Sequence, residues 1–82
     1  MEKLLSEFKI GEKGIVKKIS ADGRMKRRLF DMGVTPNTEI LFRKVSPLGD
    51  PIEVSLRGYE LSLRRDEADK VLMEVDEWLR FV

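Results

Sequence analysis

The sequence predicts a mostly β domain in which about five short strands close into a small barrel and one short helix lies outside them. Apolar and β-branched residues fill five short stretches, several with the alternation that is typical of half-buried strands. Glycine and proline separate these stretches at short intervals. Residues 24–32 carry apolar side chains at helical spacing.

The five predicted strands differ in pattern. Residues 14–20 and 39–45 are rich in β-branched and apolar residues, and residues 52–57 and 59–63 alternate cleanly. Residues 71–75 form the last predicted strand. Closing such a short, bent sheet hides its edges and surrounds one core, so an SH3-like barrel is the natural candidate.

The helix over residues 24–32 has a start signal, an apolar stripe and a stop signal. Asp22 is a plausible N-cap, because its carboxylate can accept the free N–H groups of the first turn. Met25, Leu29 and Met32 follow at i, i+4 and i+7 and form one narrow apolar stripe. Gly33 can adopt the left-handed conformation that ends helices.

Two further segments are predicted to be helical turns. Residues 1–13 mix apolar and charged residues and are expected to lead into the first strand as a helical turn. A second turn is expected at about residues 66–70, with Asp66 as its cap and Asp69 at the capping-box position.

The length and charge of the chain predict a single domain, residues 1–82, with a modest core. A chain of 82 residues buries about 60–65% of the surface that its unfolded form exposes. Sixteen Lys and Arg residues stand against fifteen Asp and Glu residues, which argues against nucleic acid as the partner. We find no signal peptide and no membrane-spanning stretch, so we expect a cytosolic protein that meets a membrane only through a partner.

The residue inventory excludes most catalytic chemistry. The chain has no histidine and no cysteine, which removes Ser/His/Asp and Cys/His catalysis and the usual ligands of zinc, copper and non-haem iron. A carboxylate site for a hard cation stays open at Asp66, Glu67 and Asp69, although a helix cap with a solvated face is favoured there. No resident cofactor is expected, with weak binding of ferrous or another divalent ion left open.

The predicted helix carries the first candidate binding residues. Arg27 and Arg28, with Arg24 and Lys26, form a basic patch that is either a solvated face or a contact for an acidic protein. Phe30 lies about 140° from Met25 on the helix, away from the apolar stripe. It either packs against another segment or is exposed to a partner.

The segment Pro47-Leu48-Gly49-Asp50-Pro51 carries the other candidates. Its prolines restrict the residues before them and Gly49 allows positive φ, so a rigid turn between two strands is predicted. Leu48 at its tip is expected to be exposed, because loop tips lie at the surface. Trp78 and Phe81, by contrast, are expected to cover an open end of the barrel.

The chain resembles the FeoA family over about residues 5–75, and residues 76–82 form an extension outside the match. The resemblance rests on several motifs taken together: Leu5-Ser6-Glu7, Gly11-Glu12-Lys13-Gly14, Arg27-Arg28-Leu29-Phe30-Asp31-Met32-Gly33-Val34, Pro36, Pro47-Leu48-Gly49-Asp50-Pro51, Val54, Arg57-Gly58-Tyr59 and Leu61-Ser62-Leu63-Arg64. It implies an SH3-like barrel in the cytosol and a part in ferrous iron uptake. It also implies a partner, the FeoB permease with its cytosolic GTP-binding domain.

These observations lead to one favoured function and several alternatives. The favoured function is a non-enzymatic accessory protein that docks on the cytosolic part of a FeoB-type permease through Arg27, Arg28, Phe30, Leu48, Gly49 and Asp50. A metal-responsive module, similar to the SH3-like domain of iron-dependent repressors, is the main alternative. A nucleic-acid-binding barrel and an enzyme are further alternatives, of which the enzyme has the least support.

Overall fold

The computed structural model describes residues 1–75, which form six antiparallel strands, two α-helices and one 3-10 helix. The predictions for Trp78 and Phe81 concern residues outside this range. The strands lie in the order β1-β6-β2-β3-β4-β5. In chain order the elements are β1 (Glu2–Leu4), the 3-10 helix (Leu5–Glu7), β2 (Lys13–Ile19), α1 (Gly23–Asp31), β3 (Glu39–Val45), β4 (Ile52–Leu56), β5 (Tyr59–Leu63), α2 (Arg65–Ala68) and β6 (Val71–Glu74).

The first strand corrects two predictions, the count of about five strands and the helical turn in residues 1–13. Residues 2–4 pair with β6, with Lys3 opposite Met73, and only the next three residues are helical. The Met1 ammonium group donates to the Val75 carbonyl at 3.1 Å and extends this pairing. A three-residue strand leaves little local signal, because its stability comes from a partner about seventy residues away.

A charged pair also ties β1 to the rest of the sheet. The Lys17 ammonium group on β2 donates a hydrogen bond to the Glu2 carboxylate on β1. This bond and the attraction between the two charges hold the pKa of Glu2 below its ordinary value. The same contact raises the pKa of Lys17.

The sheet does not close by strand pairing, which corrects the prediction of a closed sheet. Strands β1 and β5 lie at the two ends of the order, and each pairs with one neighbour. The 3-10 helix follows β1, α2 follows β5, and these two helices pack against each other. The Arg65 guanidinium donates to the Ser6 carbonyl at 3.3 Å across this contact. Helix packing therefore brings the two ends of the sheet together.

A β-bulge in β2 explains why its burial does not alternate. Val16 and Ile19 are both buried, although residues three apart lie on opposite faces of a regular strand. The register with β6 shifts between Val16 and Lys18, which inserts one residue and returns Ile19 to the inner face. Ile15, which precedes the bulge, is exposed.

Helix α1 confirms its predicted signals within one residue at each end. The Asp22 carboxylate accepts from the Met25 N–H at 3.0 Å, and Gly33 has a φ of 93°. Leu29 is fully buried, while Met25 and Met32 are half-buried against the same core. The apolar stripe therefore faces the sheet, and the opposite side of α1 faces solvent.

Helix α2 begins earlier than predicted, at Arg65, and it ends at Ala68. Its N-cap is Arg64, so the predictions of Asp66 as the cap and Asp69 as the capping-box residue are wrong. Glu67 takes the capping-box role, because its carboxylate accepts from the Arg64 N–H at 2.8 Å. The helix begins at Arg65, directly after the N-cap Arg64, because the Glu67 carboxylate reaches the Arg64 N–H.

We expect Gly33→Ala to lower the free energy of unfolding by about 2–3 kcal/mol, measured by chemical denaturation. An alanine there keeps the unfavourable positive φ, and its Cβ would collide with the hydroxyl of Tyr59, which donates to the Met32 carbonyl. Gly11→Ala is the matched control, since Gly11 has a φ of 92° with no atom within 4 Å of the added Cβ. It should cost about 1 kcal/mol. Equal losses in the two variants would contradict a role for the Tyr59 contact.

Candidate functional site

The solvent face of α1 presents an aromatic ring between two cations. Phe30 is 40% exposed. The Lys26 Nζ lies 5.9 Å from the centre of the Phe30 ring, as expected for residues four apart on a helix. Arg27 lies on the other side of Phe30 on this face, since the two residues are three apart. Phe30 is thus exposed beside Lys26, as the second interpretation of this residue expected.

Arg28 has a different role from Arg27. Its Nε lies 3.0 Å from Oε2 of Glu67, which is 3% exposed. The other oxygen of this carboxylate accepts the Arg64 N–H. A buried carboxylate needs such partners to offset its lost hydration. The Arg28 contact therefore fixes α1 to α2, and Arg28 is a positioning residue.

The turn between β3 and β4 exposes one apolar side chain at its tip. Leu48 is 96% exposed, as predicted. The turn beneath it is closed by the Gly49 N–H, which donates to the Ser46 carbonyl at 2.8 Å, and Gly49 has a φ of 87°. The tip thus carries an exposed leucine on a defined backbone.

Arg65 on α2 holds this turn in place. Its Nη1 donates to the Gly49 carbonyl at 2.9 Å, and its backbone N–H donates to the Asp50 carboxylate at 3.0 Å. Gly49 and Asp50 are therefore occupied by contacts inside the domain. Of the six predicted binding residues, Arg27, Phe30 and Leu48 are exposed and their side chains make no hydrogen bond or ion pair within residues 1–75, whereas Arg28, Gly49 and Asp50 make contacts within the domain.

Helix α2 contacts both predicted parts of the site. Glu67 reaches α1 through Arg28, and Arg65 reaches the β3–β4 turn. Within residues 1–75, no direct hydrogen bond or ion pair joins α1 to that turn. The contacts of Arg65 were not predicted from the sequence, and Glu67 was assigned there to an acidic cluster. Glu67, three residues after Arg64, has the spacing of a capping box and could have identified the role of its carboxylate.

The sequence analysis also missed the environment of Arg57. This residue has a φ of 48° in the turn between β4 and β5. Its Nη2 donates to the hydroxyl oxygens of Thr35 and Thr38, each at 3.0 Å. Arg57 precedes Gly58 at a position where a two-residue hairpin turn favours asparagine. This unusual residue was the sequence feature that could have identified Arg57 as a candidate.

The part of the chain that the structure describes contains no group of three or more Asp, Glu, His or Cys residues placed to hold a metal ion. In the acidic cluster considered from the sequence, Asp66 and Asp69 are exposed, whereas Glu67 is buried. The two oxygens of Glu67 contact Arg28 and the Arg64 N–H. Across the same residues, neither helix has the length and apolar character needed to cross a membrane.

Comparison with protein families gives a match over nearly all of the described chain. The model of the FeoA domain matches residues 3–75. An Fe(2+) transport protein A/Fe(2+) transporter FeoB fusion protein of Porphyromonas gingivalis (strain ATCC BAA-308 / W83) is 30% identical over 71 residues. The match covers 87% of this chain but only 8% of the fusion protein.

Solved structures agree with this match. A FeoA-like protein from Clostridium acetobutylicum has a TM-score of 0.84 and 42% identity, covering 90% of this chain and 86% of that one. Stenotrophomonas maltophilia FeoA complexed with zinc, described as a procaryotic SH3 domain protein, has a TM-score of 0.76 and 25% identity, covering 88% and 89%. A manganese-dependent transcriptional repressor, 20% identical with a TM-score of 0.84 over 92% of this chain and 42% of that one, shares the fold alone. The predicted SH3-like fold is confirmed.

We expect Glu67→Gln to lower the free energy of unfolding by about 1–2 kcal/mol, and Glu67→Ala by about 2–4 kcal/mol. Glutamine keeps an oxygen for the Arg64 N–H but loses the charge that faces Arg28, whereas alanine loses both. Glu60→Gln is the matched control, because Glu60 is exposed and pairs with Arg43 at 3.6 Å. It should change stability by less than about 0.5 kcal/mol in the same denaturation experiment. If the two glutamine variants are equally stable, the Glu67 contacts do not fix α2.

Proposed function

The chain belongs to the FeoA family, which acts in ferrous iron transport, and from this we propose that it is a non-enzymatic accessory protein of bacterial ferrous iron uptake. In this proposal it works in the cytosol and docks on the cytosolic part of a FeoB-type permease. It contacts the membrane only through that partner. Its action is a protein–protein contact that assists or regulates transport.

The fusion protein of Porphyromonas gingivalis supports this choice of partner. There a segment similar to this chain and a FeoB transporter share one polypeptide, as the protein's name states. A covalent link raises the effective concentration of one module for the other, often to millimolar values. A separate chain needs a binding surface to reach the same arrangement.

The observation that carries the proposal is the solvent face of α1. Phe30 there is fixed on a helix between Lys26 and Arg27, and neither cation has a carboxylate partner among residues 1–75. Aromatic residues and arginine are enriched at the centres of protein interfaces. An aromatic side chain has few rotatable bonds and therefore loses little conformational entropy on binding. This face suits a partner with an apolar pocket and an acidic rim.

Leu48 supplies a second anchor on the β3–β4 turn. Its side chain is almost fully exposed, while the turn below it is held by Arg65. Because α2 links this turn to α1, the two anchors keep a fixed relative position. We propose that Arg28, Gly49 and Asp50 serve binding by maintaining this geometry.

The first test measures binding of the full chain to the purified cytosolic part of the permease. Phe30→Ala and Leu48→Ala are each expected to raise Kd by about 30-fold, equivalent to about 2 kcal/mol. Ile10→Ala is the matched control, because Ile10 is also an exposed apolar side chain, 66% accessible, and lies outside both anchors. Wild-type affinity in both anchor variants, with an intact fold, would rule out this surface.

The second test examines charge. We expect Arg27→Glu to slow association with the permease by about tenfold at low salt, and the difference to shrink as salt increases. Lys18→Glu makes the same change in charge at an exposed position on β2 and is expected to leave the rate within about twofold of wild type. Similar rates for the two reversals would show that net charge, and not the α1 face, controls association.

A metal-responsive module is the second candidate, because the Stenotrophomonas maltophilia relative was solved in complex with zinc. In this chain such a site would have to use carboxylate and carbonyl oxygens, since thiol and imidazole groups are absent. Anaerobic titration of the full chain with ferrous ion separates the two functions. Saturable binding at micromolar concentration that changes permease affinity would favour the metal-responsive module, whereas unchanged permease binding with no saturation would favour the accessory protein.

A further inference from the structure

We propose that a groove beside the β4–β5 turn is a carboxylate-binding site, in which Arg57 recognises an acidic side chain of an extended polypeptide. The groove is lined by residues of β2, β3 and β4 and of the two loops that hold Asn37 and Arg57. It is separate from the Phe30 and Leu48 anchors, so this proposal does not rest on docking to the permease.

The backbone at Arg57 is the first observation. Leu56 pairs with Tyr59, so Arg57 and Gly58 form a two-residue turn, with φ values of 48° and 86°. Turns with positive φ at both positions favour Asn-Gly. An arginine at the first position is unfavourable by about 1 kcal/mol. Because arginine is present despite this unfavourable backbone conformation, we expect its guanidinium group to have a function.

The guanidinium group is fixed by two hydroxyl groups. Nη2 lies 3.0 Å from Oγ1 of both Thr35 and Thr38, and these two oxygens are 2.9 Å apart. The three atoms form a nearly equilateral triangle, so the angle at Nη2 is about 60°. The two N–H bonds of a planar guanidinium nitrogen diverge by about 120°. In the proposed site both hydroxyl oxygens accept from the same N–H bond of Nη2, an arrangement that an angle of about 60° allows.

Sharing one N–H bond leaves a complete binding edge on Arg57. The second N–H of Nη2 stays available next to an N–H of either Nε or Nη1. Among residues 1–75, Arg57 has no hydrogen-bond partner besides the two threonines. Whichever N–H bond of Nη2 contacts the threonines, two parallel N–H bonds remain on the guanidinium group. This is the arrangement that binds a carboxylate with both oxygens.

The groove next to this edge is large enough for a polypeptide segment. Its volume is ≈ 520 Å³, far more than a single ion requires. Leu41, which is half-buried, adds apolar contact to a lining that is mostly polar. An extended chain can use both kinds of contact, whereas a free anion uses the charged edge alone.

The charges around the groove favour a carboxylate over a phosphate group. Lys13 and Arg57 carry two positive charges and Glu39 carries one negative charge, so the lining has one net positive charge. A carboxylate brings one negative charge and balances it. A phosphate monoester brings about 1.5–2 negative charges, more than the lining neutralises.

The test follows the Nε–H signal of Arg57 by NMR while a peptide is added to the full chain. The probe is a capped pentapeptide with one central glutamate, and its matched control has glutamine at that position. We expect saturable shifts at Arg57, Gly58 and Asn37 with the glutamate peptide and at least tenfold weaker binding of the glutamine peptide. Inorganic phosphate is expected to bind more weakly than the glutamate peptide. Equal shifts with both peptides, or stronger binding of phosphate, would overturn the proposal.

Three variants separate recognition from folding. Arg57→Lys keeps the charge and loses the planar edge, so binding of the glutamate peptide should weaken at least tenfold. Arg57→Asn supplies the residue that the turn favours, so the denaturation midpoint should stay at or above that of the wild type while binding is lost. Phe30→Ala should bind the peptide normally, which keeps this result distinct from permease docking. Unchanged binding by Arg57→Lys, or unfolding of Arg57→Asn, would show that Arg57 serves only to hold the turn.

Discussion

The carboxylate of Glu67 is almost fully buried, and the outer layer of the domain is arranged around it. A buried carboxylate is tolerated only when charged or hydrogen-bonding groups replace its hydration. The Arg64 N–H and the Arg28 guanidinium do so here, and in doing so they fix the start of α2 and its contact with α1. Arg65, on the first turn of α2, then reaches the β3–β4 turn and the 3-10 helix. One short helix thus contacts both segments that carry the proposed permease contacts, α1 and the β3–β4 turn.

This arrangement divides the basic residues into two functional groups. Arg28 and Arg65 face the domain and hold its segments together. Lys26 and Arg27 face solvent beside an aromatic ring. Adjacent residues of one basic run therefore have opposite roles, because successive side chains on a helix point about 100° apart. A small domain can build a rigid binding surface in this way without a large core.

Although the net charge is only +1, paired and unpaired cations lie on different parts of the surface. Many cations of the sheet pair with carboxylates on other strands, as Lys44 does with Glu53 on the adjacent strand and Arg43 with Glu60 two strands away. The proposed contact surfaces are places where cations lack such partners within residues 1–75, on the solvent face of α1 and at the free edge of Arg57. The two proposals are compatible with a nearly neutral protein, since recognition depends on local and not total charge.

The sequence by itself determined the features whose causes are local. The cap at Asp22, the stop at Gly33 and the exposed tip at Leu48 follow from the conformations that single residues allow, and the family follows from motifs along the chain. Only the tertiary structure decided that residues 2–4 form a strand, that Arg28 binds a buried carboxylate and that Arg57 donates hydrogen bonds to two threonine hydroxyl groups. Each of these depends on partners far away in the chain. Propensity and periodicity report what a segment prefers alone, whereas pairing and burial depend on which segments the fold places beside it.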